Sequence, residues 1–308
     1  MPQRKPIRIG TRGSRLALTQ AGLVRELLAS QGHESEIVVV KTSGDRIQDR
    51  PLADAGGKGL FTKELEEALY ANEADIAVHS MKDVPAYLPD GLMLGAFLPR
   101  EDPRDVLVSN KQYTLASLPT AAVVGTSSVR RRAQLLRARK DTEPVTLRGN
   151  VDTRLAKLDE GRFEAAILAL AGLRRLGFAN RATTILDASE WLPSPAQGAI
   201  GIELRKDDTQ TREAMAMLDH EPTAIALACE RAFLAALDGS CRTPLAALAV
   251  LDGNVLKFRG EVLALDGCEF VDTAFEKALG ADALENAAQW GREAGLALRP
   301  RAARWLDL

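Results

Sequence analysis

Apolar residues along this chain switch between two spacings, and the switches mark out elements. A strand over 7–10 leads through a polar turn at 11–14 into a helix from Arg15 to about residue 30. In that helix Leu16, Leu23, Val24, Leu27 and Leu28 recur at helical intervals. A strand over 37–41, a Gly-rich loop over 55–59, a helix over 61–71 and a strand over 75–79 follow. Glu64, Glu66 and Glu67 are expected on the wet side of that second helix. This alternation predicts an α/β layer with mainly parallel strands. After a Pro-rich charged joint at 98–103 the same order restarts: strand 121–125, helix 127–140, strand 145–147, helix 151–160, strand 165–170. A second joint at 191–195 precedes a strand over 200–204.

The last third changes character. An Ala-rich helix is predicted over 223–237, then three alternating segments at 244–251, 255–265 and 269–275, with Asp-Gly turn signals at 252–253 and 266–267. A final helix is expected from about 281 to 297. The fold class read from this pattern is α/β, with two similar lobes and a small C-terminal α+β domain. That domain carries a three-stranded antiparallel sheet. Joints between similar lobes imply a cleft, a common place for ligands.

Composition narrows the picture. In 308 residues, 46% hydrophobic and 27% charged content suits an ordinary soluble globular enzyme. There is no apolar run long enough for a membrane helix, and the opening MPQRKPIRIG lacks the apolar stretch of a secretory signal. A cytoplasmic protein is the expectation. The net charge of −2 argues against a generalised nucleic-acid surface. The three cysteines form no CxxC pair, and His33, His79 and His220 form no ligand cluster, so neither a disulfide framework nor a metal site is expected.

Chemistry concentrates where predicted strands end. GTSSVRRR over 125–132 sets Ser127 or Ser128 at a helix N-cap, beside free backbone N–H groups that favour anions. Cations in a first helical turn oppose the helix dipole, so local helix stability does not explain them. Between Arg130 and Arg154 there are eight cations and three acids. LRGNVDTR over 147–154 adds Arg148 and Arg154, ALAGLRRL over 169–176 adds Arg175, and the first strand end offers Arg12 and Ser14. In an α/β sheet the carboxyl ends of the strands share one rim. A ring of guanidinium forks there suits a ligand with several negative charges. HSMKDVP over 79–85 brings Lys82 and Asp83 to that rim, Asp83 being either a salt-bridge partner or an acid/base group. Gly57-Lys58-Gly59 lacks the full phosphate-loop spacing and reads as a loop or lid. Cys241, in a loop beside Arg242, is a candidate nucleophile or attachment point, whereas Cys229 and Cys268 read as inert.

Together TRGSRLALTQA, VHSMKDVP, GTSSVRRRAQL, LRGNVDTRLAKLDEG, ALAGLRRLG and ERAFLAALDGSCRTPLA, in this order and spacing, resemble the hydroxymethylbilane synthase family, also called porphobilinogen deaminases. The resemblance spans nearly the whole chain. It implies two lobes like those of type II periplasmic binding proteins, residues 1–98 with 199–217 and residues 99–198, and a cofactor-attachment domain over 218–308. It implies a transferase of haem and tetrapyrrole biosynthesis that joins four porphobilinogen molecules head to tail, with loss of ammonia, onto a dipyrromethane primer. Hydrolysis then releases hydroxymethylbilane. The primer would be held by a thioether to Cys241. Lys82, Ser128, Arg130, Arg131, Arg148 and Arg154 would hold cofactor carboxylates. Arg12, Ser14, Gln20, Arg175 and Gln197 would line the substrate side with Arg148 and Arg154, and Asp83 would be the catalytic carboxylate. A monomer is implied, with no nucleic-acid or membrane partner. Two positions depart from the family pattern: Ser240 stands in its usual Gly-Gly-Cys, and Ala196 replaces a Gly beside the second joint. The rival readings are a non-catalytic binder of a polyanionic small molecule, which leaves Cys241 unexplained, and a nucleic-acid binder, which lacks stacking aromatics between Tyr113 and Phe163.

Overall fold

The computed structural model describes residues 5–46, 59–239 and 243–306. Strand β1 (Ile7–Arg12) feeds helix α1 (Arg15–Ser30), which returns to β2 (Ser35–Val40). A helical turn α2 (Ser43–Arg46), helix α3 (Lys63–Tyr70), β3 (Ile76–Ser80) and β4 (Leu92–Phe97) follow. The next sheet begins with β5 (Asp105–Val108) and runs through β6 (Val123–Gly125), α4 (Val129–Ala138), β7 (Glu143–Val145), α5 (Val151–Asp159), β8 (Ala165–Ala169), α6 (Leu170–Arg175) and β9 (Thr184–Ile185). Then β10 (Ile200–Arg205), α7 (Thr209–Ala216) and α8 (Glu221–Ala236) lead to β11 (Leu245–Asp252), β12 (Val255–Leu263), β13 (Phe270–Ala278) and α9 (Ala283–Leu306).

Two five-stranded sheets share one plan. Their orders are β2-β1-β3-β10-β4 and β7-β6-β8-β5-β9. In each, the first three strands run parallel and the fourth runs antiparallel to both its neighbours. The fourth strand is the one that arrives from the other lobe: β10 enters after the second sheet is complete, and β5 leaves the first. This exchange is why the sheets are mixed rather than mainly parallel. The third sheet, β11-β12-β13, is antiparallel throughout.

Each sheet buries its own core. Ile9, Val24, Leu28, Ile76, Ile202 and Met215 join α1 and α7 to the first sheet. The second sheet is covered on both faces, by Leu155 and Leu173 on one and Leu135 and Trp191 on the other. In the third unit α8 and α9 pack on the sheet through Cys229, Phe233, Phe258, Leu298 and Trp305. A Cβ at Gly291 would lie 2.1 Å from the Cys229 carbonyl oxygen, so only glycine lets α9 approach α8 this closely.

Several local expectations change. Helix α9 runs through Pro300 to Leu306 instead of stopping near 297. Proline interrupts the backbone ladder there, but Leu298, Ala302 and Trp305 are buried on either side and their packing carries the helix on. Helix α4 starts at Val129, because Ser128 is its cap. Glu66 is not on a wet face; it is buried beside Leu65, Ala68 and Leu69. Burial raises its pKa, and the charge of Glu203 adds to the effect. Glu203 in turn accepts from or donates to His79 Nε2 across 2.9 Å in the first-lobe interior.

Candidate active site

The end of β3 places the acid foreseen for catalysis. Met81–Asp83 forms a single 3₁₀ turn closed by Val84 N–H on the Met81 carbonyl at 3.2 Å. The Gln20 amide nitrogen donates to Ser80 Oγ at 2.9 Å and fixes the strand end against α1. Ser14 caps α1, its hydroxyl accepting from Ala17 N–H at 3.3 Å. The Arg12 guanidinium lies 4.0 Å above the Phe61 ring. Arg12, Ser14, Gln20, Phe61, Ser80 and Asp83 line one cleft of ≈ 400 Å³, which includes its open mouth.

Across that cleft stands the second lobe's rim. Ser128 Oγ accepts from Arg131 N–H at 3.4 Å, and Ser127 Oγ donates to the Leu147 carbonyl at 2.5 Å. Gly149 has φ +113°, and a Cβ there would meet the Thr153 side chain at 2.7 Å. Asn150 then caps α5 by accepting from Thr153 N–H at 2.8 Å. Arg154, half-buried in that first turn, donates from Nε to the Gly149 carbonyl at 2.8 Å. Arg175 Nη2 donates to the Gly198 carbonyl at 2.6 Å, on the crossover back to the first lobe.

Positive charge crowds in this gap. Lys82 is water-accessible yet sits deep between the lobes. Desolvation, reinforced by the charge of Arg131, lowers its pKa from 10.5 to about 8. Desolvation, then Arg131 and Arg148, pulls Arg154 down to about 10. Asp83 is the acid whose charge works the other way on both groups. Lys82, Arg154 and Arg175 make no ion pair within 4 Å among the described residues. Cations that depress one another's pKa call for a ligand bearing carboxylates.

Not every foreseen arginine faces that gap. Arg130 is buried, with Nη1 donating to Asp105 Oδ2 (2.8 Å), Gln134 Oε1 (2.8 Å) and the Leu192 carbonyl (3.0 Å). Arg131 Nη2 donates to Asp105 Oδ1 at 2.7 Å and to Gln197 Oε1 at 3.3 Å. Gln197 Nε2 and Trp191 Nε1 also donate to Asp105, at 2.7 and 3.0 Å. Burial alone would raise the Asp105 pKa; the charges and hydrogen bonds of Arg130 and Arg131 overcome it and hold the carboxyl well below its usual range. Gln197 further touches Lys82 Nζ at 3.5 Å, so it links the buried network to the cleft. Arg132 is exposed on α4.

Sequence reading missed Asp105 and a second buried acid, Glu230. Glu230 accepts from Arg100 Nη1 (2.6 Å), Ala196 N–H (2.5 Å) and Ala249 N–H (2.7 Å), so it ties both crossovers to the third sheet. Ala196, standing where a glycine is expected, adopts φ +59° and is held there by this contact. One signal was present for each acid: a carboxylate bordering or interrupting an apolar run, Asp105 before VLV and Glu230 after ALAC. Cys241, with Ser240 and Arg242, lies outside the described residues.

The family model described as porphobilinogen deaminase, dipyromethane cofactor binding domain, matches residues 7–213, and that of the porphobilinogen deaminase C-terminal domain matches residues 224–299. The chain belongs to the porphobilinogen deaminase family. Porphobilinogen deaminase of Paracoccus denitrificans is 53% identical over 270 residues, 86% of each chain, and that of Nitrobacter hamburgensis is 51% identical over 299 residues, 96% of this chain and 93% of that one. Among solved structures, the periplasmic VFT2 domain of Bordetella pertussis BvgS is 15% identical over 68% of this chain and 85% of that one, with a TM-score of 0.41. Porphobilinogen deaminases are transferases of tetrapyrrole synthesis: they condense four porphobilinogen molecules onto a dipyrromethane primer and release hydroxymethylbilane. Membership sets aside the reading as a non-catalytic polyanion binder. No helix among the described residues is long and apolar enough to cross a membrane. The residues present suit the cofactor, since each of its pyrroles carries two carboxylates and the cleft supplies Lys82, Arg148 and Arg154 beside Asp83, with the Arg131–Asp105 pair behind them.

Proposed function

We propose that condensation takes place at Asp83, with the cations around it holding the carboxylates of the reacting rings. The observation that carries this reading is the crowding of Lys82, Arg148 and Arg154 about Asp83 at the end of β3, next to an Arg131 already paired to Asp105. Bound through Cys241, dipyrromethane would supply the free pyrrole α-carbon for the first porphobilinogen, each later unit joining the free α-carbon of the ring added before it. Arg148 and Arg154 take carboxylates from the second lobe as bidentate forks, and Lys82 takes one as a point charge. The Ser128 cap keeps the N-terminus of α4 in place. Arg12, Ser14 and Gln20 orient the incoming porphobilinogen on the first-lobe side, and Arg175 and Gln197 close the crossover side. Arg130 and Arg131 act through Asp105: their buried pairs hold the α4 terminus at the wall of the cleft.

Porphobilinogen loses its aminomethyl nitrogen as ammonia, and positive charge develops on the remaining ring. Asp83 stabilises that charge from within a water-poor cleft, where a fixed carboxylate acts most strongly. When the new carbon–carbon bond forms, the attacked α-carbon sheds its proton, and Asp83 is placed to move it toward the departing ammonia.

The proposal divides the chain into residues 1–98 with 199–217, 99–198 and 218–308; the exchange of β5 and β10 between sheets supports the first two. A monomer in the cytoplasm, free of nucleic acid, completes the proposal; the inward turn of Arg130 and Arg131 toward Asp105 supports the last point, because it removes them from any phosphate-binding face.

Intact mass measurement tests the reading. Protein incubated with porphobilinogen is expected to carry a two-pyrrole adduct at Cys241 and a ladder of further additions. Asp83→Asn is expected to keep the fold and lose about 10²-fold or more in turnover. A bare Cys241 in a fully active preparation, or wild-type turnover by Asp83→Asn, would overturn it.

A further inference from the structure

Helix α8 has two buried faces. Ile225, Cys229 and Phe233 enter the core of the third unit. Leu227, completely buried, packs instead on Met81 and Val84, which flank the Asp83 turn, and on Ala196 and Ala199 of the crossover. Arg231, one turn further along the same face, reaches the segment just beyond Asp83. Its Nη2 donates to the carbonyls of Pro85 (2.9 Å) and Ala86 (3.2 Å), and Nη1 lies 3.4 Å from that of Val84. Tyr87 extends the contact, its hydroxyl 3.5 Å from the Ala235 carbonyl.

This use of an arginine is unusual. Desolvation lowers the Arg231 pKa to about 10, so it remains charged at neutral pH. Yet among the described residues no carboxylate lies within ion-pair distance of it. Residues 84–87 belong to no strand or helix, so their carbonyls lack ladder partners. A planar fork with donors spread over its nitrogens in fixed geometry can span three consecutive carbonyls, whereas a lysine offers its three donors from a single rotating nitrogen. Glu230, the preceding residue, fixes the same helix to both crossovers. Five residues beyond the last residue of α8 comes Cys241.

We infer that Arg231 is a positioning residue of the condensation: through the Val84, Pro85 and Ala86 carbonyls it sets the Asp83 turn relative to the helix that leads to the cofactor cysteine. The inference rests on Asp83 as the reacting carboxylate. A misplacement of about 1 Å in such a group costs about 10²-fold in rate, so losing the fork should act on turnover and not on substrate affinity.

Arg231→Gln and the milder Arg231→Lys test this in the full-length holoenzyme, with cofactor content checked by intact mass. Hydrogen–deuterium exchange of the 84–88 amides should speed up about tenfold or more in Arg231→Gln, while β11–β13 stay protected. Below the melting temperature of each variant, kcat should fall about 10- to 100-fold with KM within about twofold, and Arg231→Lys should fall in between. Unchanged exchange over 84–88 overturns the inference whatever Asp83 does. Faster exchange with wild-type kcat overturns it as well, as does a loss of activity that merely tracks the unfolded fraction. Full activity in Asp83→Asn would instead remove the reading on which it rests.

Discussion

Two neighbouring groups of arginine differ in what balances them. At the start of α4, Arg130 and Arg131 enclose Asp105, which is fully buried and also receives Trp191 and Gln197. Around Asp83, Lys82 and Arg154 have depressed pKa values, chiefly through desolvation and then through the repulsion of neighbouring cations. The first group is held within the chain: both guanidinium groups share the Asp105 carboxylate, and each of its oxygens has donors. The second is complete only with an anion from outside. Residue type does not separate a structural arginine from a ligand-binding one; the local count of acids does.

Breaking the first group should cost stability most. Asp105→Asn leaves two guanidinium groups buried without a counter-charge, and a loss of about 3–5 kcal/mol in unfolding free energy is expected, measured by urea titration. A loss below 1 kcal/mol would mean that water or another group reaches Arg130 and Arg131. Breaking the second should leave the fold alone. Arg154→Ala removes a charged hydrogen bond to a carboxylate, worth about 1.5–3 kcal/mol, so elongation should slow about tenfold to a hundredfold with unfolding unchanged. Its signature is accumulation of short adducts in intact mass spectra. If Arg154→Ala destabilised the chain and left the adduct ladder untouched, the two groups would have to be exchanged.

The smallest effect sharpens the contrast through pH. Lys82 has a folded pKa of about 8 against an ordinary 10.5. Between those values the unfolded cofactor-free chain binds more protons than the folded one, so this group makes stability rise with pH across that window. Below pH 8 both states are protonated and its contribution is flat. Lys82→Met should abolish the rise, and a bound carboxylate should shrink it by raising the folded pKa. A slope identical in Lys82→Met would assign it to another group.

Much of the candidate site was legible because strand ends carry it. Ser14, Asp83, Ser128 and Arg148 each follow a short apolar run, and short-range periodicity is enough to find such ends. The same rule failed for Glu66, which a helical wheel places near the surface but which turns toward His79 and Glu203. It also failed for Pro300, whose local preference yields to the packing of Ala302 and Trp305. Asp105 and Glu230 were visible only as acids in apolar company, with no indication of the partners far along the chain that neutralise them.

What the amino-acid order determined by itself was local: the alternation of elements, a cap at Ser127 or Ser128, the family motifs and the density of arginine on one rim. Tertiary structure alone decided which arginines face the cleft, because that depends on Asp105 lying 25 and 26 residues before Arg130 and Arg131 and on Arg154 being left without such an acid. It also decided that β5 and β10 trade sheets and that Arg231 grips the backbone after Asp83 from 145 or more residues away. Charge balance and burial are sums over everything nearby in space, and separation along the chain says little about that neighbourhood.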